Sequence, residues 1–201
     1  MLIAFEGGDG AGKTTLIEKV FTALCSQGRS VFKTRAPGGT PIGEVIRNLL
    51  LHPPVELSKR CELFLFLADR AQHVDACIAP ALRRGEIVLC DRFNDSTVAY
   101  QGSARGFGVE WVQKLCAFAT HDLQPDLTLY LDLDPVIGLA RVQRNGNKDR
   151  IESEKLEFHQ QIRRAFHALA AEEPNRLVIL DAGRPADEVF QSAMEKIHAL
   201  F

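Results

Sequence analysis

The chain has 201 residues, 46% of them hydrophobic and 25% charged, a globular composition that excludes disordered, collagen-like and low-complexity chains. Folding a chain of this length buries roughly 70% of its surface, and without a Pro/Gly/Ser-rich or charge-biased linker the expectation is one domain over residues 1–201. The net charge of −2 argues against a nucleic-acid or membrane-surface partner, both of which favour a basic excess, so an anionic ligand has to be met by locally gathered charge.

The predicted elements alternate short apolar runs with segments of helical period, the pattern of crossover units around a parallel sheet. Strands are expected at Leu2–Glu6, Ser30–Thr34, Glu86–Cys90, Asp126–Asp132 and Arg176–Leu180. Helices are expected near Lys13–Gln27, Ile42–His52, Leu57–Arg84, Glu110–Ala119, Pro135–Gln143, Ser153–Glu173 and Ala186–Leu200. Runs such as LTLYLDL and IVLC lack polar alternation, as strands covered on both faces do. The fold class is therefore α/β, three layers, with a five-stranded parallel sheet flanked by helices. Five dispersed cysteines, Cys25, Cys61, Cys77, Cys90 and Cys116, form no C-x-x-C pair or zinc pattern, which fits a reducing cytoplasm. The opening MLIAFEGGDG has no basic n-region, and no stretch reaches 18 apolar residues, so neither secretion nor membrane insertion is expected.

Gly7-Gly8-Asp9-Gly10-Ala11-Gly12-Lys13-Thr14 satisfies G-x-x-x-x-G-K-[ST] and stands between a strand and a helix, the context of a phosphate loop. Backbone N–H groups and the positive helix end converge there on a polyphosphate. Lys13 is placed to reach the β/γ oxygens, Thr14 to offer its hydroxyl to Mg²⁺, and Thr15 continues the helix start. The loop names no reaction by itself, but N-K-x-D is absent because Asn147-Lys148-Asp149 sets the acid one place early. On the acceptor side, Asp91-Arg92 emerges at the carboxyl end of a buried strand, where ligands of open α/β sheets bind. Asp91 is a candidate for Mg²⁺ through water and Arg92 for bridging two phosphates. Arg35 stands at the same sheet edge, and two arginines without a local acid imply a second phosphate group. Phe66 and Arg70, four apart on one helix face, are suited to stack on and hydrogen-bond one planar base. Phe66 amid Leu63, Phe64, Leu65 and Leu67 also reads as core.

Taken together, FEGGDGAGKTT, TRAPGGT at 34–40, FLADRAQHV at 66–74, DRFNDSTVAYQG at 91–102, PDLTLYLDLDP at 125–135 and DRIE at 149–152 resemble the thymidylate kinase family over nearly the whole chain. The resemblance implies a P-loop nucleoside monophosphate kinase fold and Mg²⁺-assisted, ATP-dependent phosphorylation of dTMP to dTDP in a cytoplasmic homodimer. Carried over by position, it assigns residues 7–15 to ATP and Asp9, Arg35, Phe66, Arg70, Arg92, Tyr100 and Gln101 to dTMP. Within that set Asp9 takes the 3′-hydroxyl, and Tyr100 and Gln101 lie near the sugar's 2′ carbon and the thymine edge. It also implies a lid at about 144–152. The phosphate loop carries no arginine, so this chain is similar to members that supply the charge from the lid: Arg144, Lys148 and Arg150 are candidates, with Lys13, Arg92, Arg144 and Arg150 as the catalytic cations. Glu152 is expected to assist the metal or the lid. Ala36 and Phe93 depart from the family's common Glu and Tyr or His.

An acceptor phosphate with a second pKa near 6 is mostly dianionic at neutral pH and requires no general base. The expected Leu57–Arg84 helix is apolar over more of its circumference than one core contact requires, which points to a helix-mediated homodimer. Two alternatives stay open: a kinase preferring dUMP or dCMP, since one methyl group separates thymine from uracil, and a regulatory module that binds nucleotides without turnover.

Overall fold

The structure, a computed structural model, describes residues 1–143 and 149–201. In chain order the elements are β1 (Leu2–Gly7), α1 (Lys13–Ser26), β2 (Val31–Arg35), α2 (Pro41–Leu51), α3 (Lys59–His73), a π-helical stretch Val74–Ile78, α4 (Ala79–Arg83), β3 (Ile87–Asp91), α5 (Asn94–Thr97), a second π-helical stretch Val98–Ala104, α6 (Val109–Thr120), β4 (Leu127–Asp132), α7 (Pro135–Gln143), α8 (Leu156–Glu172), β5 (Leu177–Asp181) and α9 (Ala186–His198). The strands pair in parallel in the order β2-β3-β1-β4-β5. The chain runs to one side of β1 for β2 and β3 and to the other for β4 and β5, so the crevice at this switch lies at the carboxyl ends of β1 and β3.

Alternation within the strands builds both cores. Ile3, Phe5, Leu89, Leu129 and Leu131 pack against Leu16, Ile17, Val20 and Leu24 of α1 and Val189, Ala193, Met194 and Ile197 of α9. Their neighbours in sequence turn the other way. Leu2, Ala4, Val88 and Cys90 meet Val74, Ile78 and Phe93, and Tyr130 joins Val98, Val112, Cys116 and Phe166. The Phe166 ring of α8 stacks on Tyr130 at 4.3 Å between centroids. These are the two helical layers the apolar strand runs imply. No helix among the described residues is long and apolar enough to cross a membrane.

Three expectations about helices need correction. The helix expected as one piece over Leu57–Arg84 starts at Lys59, where the Ser58 hydroxyl accepts from the Cys61 N–H, and widens into a π turn at Val74–Ile78. Pro80 has no N–H to return to the Ala76 carbonyl and its ring crowds that carbonyl, which a regular helix does not tolerate. No helix was expected between Cys90 and Glu110, yet α5 and the second π stretch occupy it. Asn94, Asp95, Ser96 and Thr97 are all buried, so the polar/apolar period that marks a helix is missing. Asp95 is instead satisfied by Arg176 at 2.7 and 2.8 Å and by Thr128 at 2.9 Å. The helix expected from Ser153 begins at Leu156, because Asp149 ties Ile151, Glu152 and Ser153 into a turn.

One side chain fastens the centre of the sheet to the segment after β3. Glu6 of β1 is fully buried, and its carboxylate accepts the Phe93 N–H at 2.8 Å, the Ser96 N–H at 3.2 Å and the Ser96 hydroxyl. Burial pushes its pKa from 4.5 up to about 7, opposed by the charge of Arg92 and reinforced by Asp95. A carboxyl with a raised folded pKa adds stability that is full below the unfolded value and is lost as pH rises toward the folded one. The stability of the protein relative to Glu6→Gln should therefore fall by about 3 kcal/mol between pH 4.5 and pH 7.5. Urea unfolding at the two pH values measures it, and a pH-independent difference would contradict the burial.

Candidate active site

β1 delivers its chain into a loop that only glycines can follow at two points. Gly10 and Gly12 take φ of 74° and 93°, a region closed to most side chains. A Cβ on Gly10 would also strike the Gly138 carbonyl of α7. Gly12 then opens α1, whose first turn carries no acid, so its free N–H groups face the crevice as an anion site. The half-buried Lys13 folds its ammonium back onto the Gly7 and Gly8 carbonyls at 3.1 and 3.2 Å. Burial, then the charge of Arg92, lowers its pKa.

Parallel register brings the other strand ends alongside. Arg35 of β2 is level with Asp91 of β3, and Asp91 with Phe5 of β1. The next residue, Arg92, is held at φ 69°, a conformation a non-glycine residue keeps only where its surroundings demand it. Its guanidinium donates to Asp9 at 3.0 Å and to the Ser96 hydroxyl at 3.1 Å and lies 5.3 Å over the Tyr100 ring. Asp9 is thus turned off the phosphate loop toward an arginine. The Asp91 Oδ1 atom is buried with no hydrogen-bond partner among the described residues.

The opposite wall comes from α3 and the second π stretch. Glu62, Phe66 and Arg70 recur every four residues along one face of α3. Arg70 is only 2% exposed, stacks 4.6 Å over Phe93, and leaves Nε and Nη1 without a partner among the described residues. Behind it, the buried Asp69 accepts the Gly38 N–H at 3.0 Å and His73 bonds the Thr34 hydroxyl at 2.6 Å. Burial and then Arg70 push the His73 pKa down to about 4, so this imidazole is neutral and adds no charge. The wider π turn sets the consecutive Tyr100 and Gln101 both on the cleft.

These walls enclose a cleft of about 730 Å³, within the range of small-molecule sites. It gathers most of the residues expected from sequence: Asp9, Gly10, Gly12, Lys13, Thr14, Thr15, Arg35, Phe66, Arg70, Asp91, Arg92, Tyr100, Gln101 and Glu152. Gly7, Gly8 and Ala11 belong to the loop without lining the cleft. Arg150, expected among the catalytic cations, points elsewhere: it pairs with the buried Glu62 at 2.5 Å and donates to the Leu50 carbonyl at 2.9 Å. The charge of a buried carboxylate is a stronger claim on a guanidinium than an open cleft is. Glu152 accepts the Asp149 N–H at 2.9 Å. Arg144 and Lys148 lie outside the described residues.

Sequence reading missed four contributors. Arg47 of α2 lines the cleft and donates to the Pro37 carbonyl at 2.9 Å, and Arg141 of α7 lines it and donates to the Gly10 carbonyl at 3.2 Å. Each stands on a helix with no motif around it, so only the fold brings it to the site. Glu6 and Glu62 sit in apolar surroundings within FEGG and CELF, and a buried acid inside such a run was the available signal.

The family model described as thymidylate kinase matches residues 5–193. A curated thymidylate kinase of Protochlamydia amoebophila (strain UWE25) is 47% identical over 202 residues, covering 96% of this chain and 90% of its own. Another, of Synechococcus sp. (strain JA-3-3Ab), is 51% identical over 189 residues, covering 94% and 91%. The crystal structure of thymidylate kinase from Ehrlichia chaffeensis superimposes with a TM-score of 0.81 at 31% identity, covering 98% of each chain. With the phosphate loop, the paired strand ends and the α3 wall in one cleft, and this likeness over nearly its full length, the chain belongs to the thymidylate kinase family.

Proposed function

We propose a division of labour within the cleft for the family's reaction. The chain is a kinase that phosphorylates dTMP at the expense of ATP, a step in dTTP synthesis. The observation that carries the assignment of the acceptor wall is Arg70: it lines the cleft with a buried guanidinium whose Nε and Nη1 have no partner among the described residues, and such donors are satisfied by acceptors of a ligand or of water. Arg70 donates to the thymine carbonyl, Phe66 stacks on the ring, and Gln101 meets the base edge. Asp9 accepts the 3′-hydroxyl while Tyr100 fills the space a 2′-hydroxyl would need. Arg92 and the nearby Arg35 hold the acceptor phosphate; both have a local acid that sequence reading did not expect, Asp9 for Arg92 and Glu44, to which Arg35 donates at 2.8 Å, and Arg47 adds charge from α2.

The loop from Gly7 to Thr15 takes the ATP phosphates, with Lys13 leaving the Gly7 and Gly8 carbonyls for the β/γ oxygens. The Asp91 oxygen that has no partner among the described residues and the Thr14 hydroxyl are hard oxygen donors that fit Mg²⁺, and Glu152 lies on the same cleft. Bound there, Mg²⁺ neutralises charge on the ATP phosphates. Catalysis by the protein is positioning and charge: Lys13 and Arg92 flank the transferring group, and Arg141 braces the loop at Gly10. Arg144 carries the lid's charge, while Arg150, anchored on Glu62, fixes the lid's base within residues 144–152.

We also assign a homodimer through α3. Cys61, Phe64 and Ala68 form an exposed stripe along it, Phe64 being 62% exposed. Both α2 and α6 pack on α3 and expose Ile42, Val45 and Leu49, and Trp111 and Phe118, respectively. Large apolar side chains exposed on three neighbouring helices support a protein-protein interface there. The five free cysteines fit a reducing cytoplasm, and one domain over residues 1–201 fits the continuous cores.

ADP formation measured with dTMP, dUMP, dCMP, dAMP and dGMP in turn tests the whole reading: dTMP is preferred, and preference for another base overturns the α3 wall. Lys13→Met should lower kcat by about three orders of magnitude with an unchanged circular dichroism spectrum. Arg70→Ala should lower kcat/KM for dTMP by about 10- to 100-fold, as expected for lost hydrogen bonds to a charged group, while KM for ATP holds. Sedimentation should give twice the monomer mass, reduced to one by Phe64→Glu.

A further inference from the structure

Glu62 is a carboxylate that the reaction does not use, buried to 1% exposure one turn before Phe66 on the face of α3 that forms the base wall. Its two oxygens take three hydrogen bonds and an ion pair. Oε1 accepts from Arg105 Nε at 2.9 Å and from Gln101 Nε2 at 3.1 Å, and Oε2 accepts from Arg105 Nη2 at 3.2 Å and pairs with Arg150. Arg105 is itself fixed, stacked 4.4 Å over Phe158 and paired with Glu154 at 2.6 Å. Burial favours the neutral acid, but the hydrogen bonds and charges of Arg105 and Arg150 outweigh it and hold the Glu62 carboxyl below its usual range. At neutral pH it is ionised and is an acceptor only.

That has a consequence for Gln101, which is 1% exposed and lines the cleft. A primary amide can turn either end toward a neighbour at little cost, and the two ends carry opposite hydrogen-bonding sense. A carboxylate accepts only the NH₂ end. The Gln101 oxygen, which takes no hydrogen bond from the described residues, is therefore the end left for the cleft. Resting on the reading of Gln101 as the residue at the base edge, we propose that Glu62 is a specificity-determining positioning residue: it locks the Gln101 amide so that an acceptor faces the base.

The chemistry of the pyrimidines supplies the discrimination. Thymine and uracil present N3–H as a donor and O4 as an acceptor, and these match the Gln101 oxygen and the Arg70 donors. Cytosine presents a lone pair at N3 and an amino group at C4, so it sets acceptor against acceptor and donor against donor in a buried site, where unpaired groups are costly. Arg70 alone opposes only the C4 substituent. The lock makes N3 a second point of rejection, and it does nothing to separate thymine from uracil.

In Glu62→Gln the side chain at 62 has a donor end as well as an acceptor end, so Gln101 is free to turn its NH₂ to the cleft. The measurement is kcat/KM for dTMP, dUMP and dCMP. The preference for dTMP over dCMP should fall by about tenfold or more, through a lower KM for dCMP, while the dTMP/dUMP ratio holds. Arg105→Met removes the same ion pair and its stacking but leaves the Glu62–Gln101 bond, so it should keep the dTMP/dCMP ratio whatever it does to thermal stability. Should Glu62→Gln fail to fold, Glu62→Asp, which keeps the charge but draws the carboxylate back from the amide, should shift the ratio in the same direction. An unchanged dTMP/dCMP ratio in the folded Glu62 variant, or an equal loss in Arg105→Met, overturns the proposal. A wild-type enzyme that does not prefer dTMP over dCMP overturns it too, and with it the reading of the base wall.

Discussion

The site depends on a buried carboxylate under the phosphate loop. Glu6 stands near the end of the central strand, and by accepting two backbone N–H groups and a hydroxyl from residues 93–96 it binds the loop after β3 to the strand that feeds the loop after β1. The first loop leads into Lys13 at the start of α1 and the second begins at Arg92, just past Asp91 at the end of β3. Backbone geometry alone does not hold them in register: Arg92 sits in the left-handed region, which relaxes unless its neighbours are pinned on both sides. Three hydrogen bonds to one buried acceptor provide that pinning, and the cost is a carboxyl forced toward neutrality in the middle of the fold.

The two faces of the sheet divide the work accordingly. Against α1 and α9 the contacts are aliphatic, and stability there comes from excluded water and close packing. The opposite face holds Glu6, Glu62, Asp69, Arg70, His73, Asp95 and Gln101 out of solvent. Most are paired within the protein: Asp95 with Arg176, Glu62 with Arg105 and Arg150, Asp69 with the Gly38 N–H. Atoms without hydrogen-bond partners among the described residues remain both away from the cleft, at Asp69 Oδ2, His73 Nδ1 and Asn94 Oδ1, and on residues that line it, at Arg70 Nε and Nη1 and Asp91 Oδ1.

Buried polar groups also explain which parts of the chain were legible. Strands β1, β3 and β4 read directly because hydrophobic residues on both faces leave uninterrupted apolar runs. The amphipathic α1 and α9 read from their period. The helix and π turn after Phe93 did not, because Asn94, Asp95, Ser96 and Thr97 look like a loop when their partners, Glu6 and Arg176, are invisible. The π turn at Val74–Ile78 was equally hidden, although Pro80 marked the place. In the site, motif residues such as Lys13, Thr14 and Arg92 were readable because their spacing is local. Arg47 and Arg141, single arginines on ordinary helices, reach the cleft only through the crossover of the chain.

By itself, then, the sequence determined the parallel α/β class, the phosphate loop and the pairing of Phe66 with Arg70, since each depends on spacing within a strand, a turn or two turns of helix. Tertiary structure decided what depends on distance between elements. It turned Asp9 to Arg92, drew Arg150 to Glu62 rather than to the cleft, and set Gln101 against an acceptor that fixes its sense. The physical reason is the same in each case: a buried charge or amide takes its orientation from whatever partner lies within about 3 Å. That partner is 83 positions along the chain from Asp9 and 39 from Gln101, beyond the reach of any local pattern.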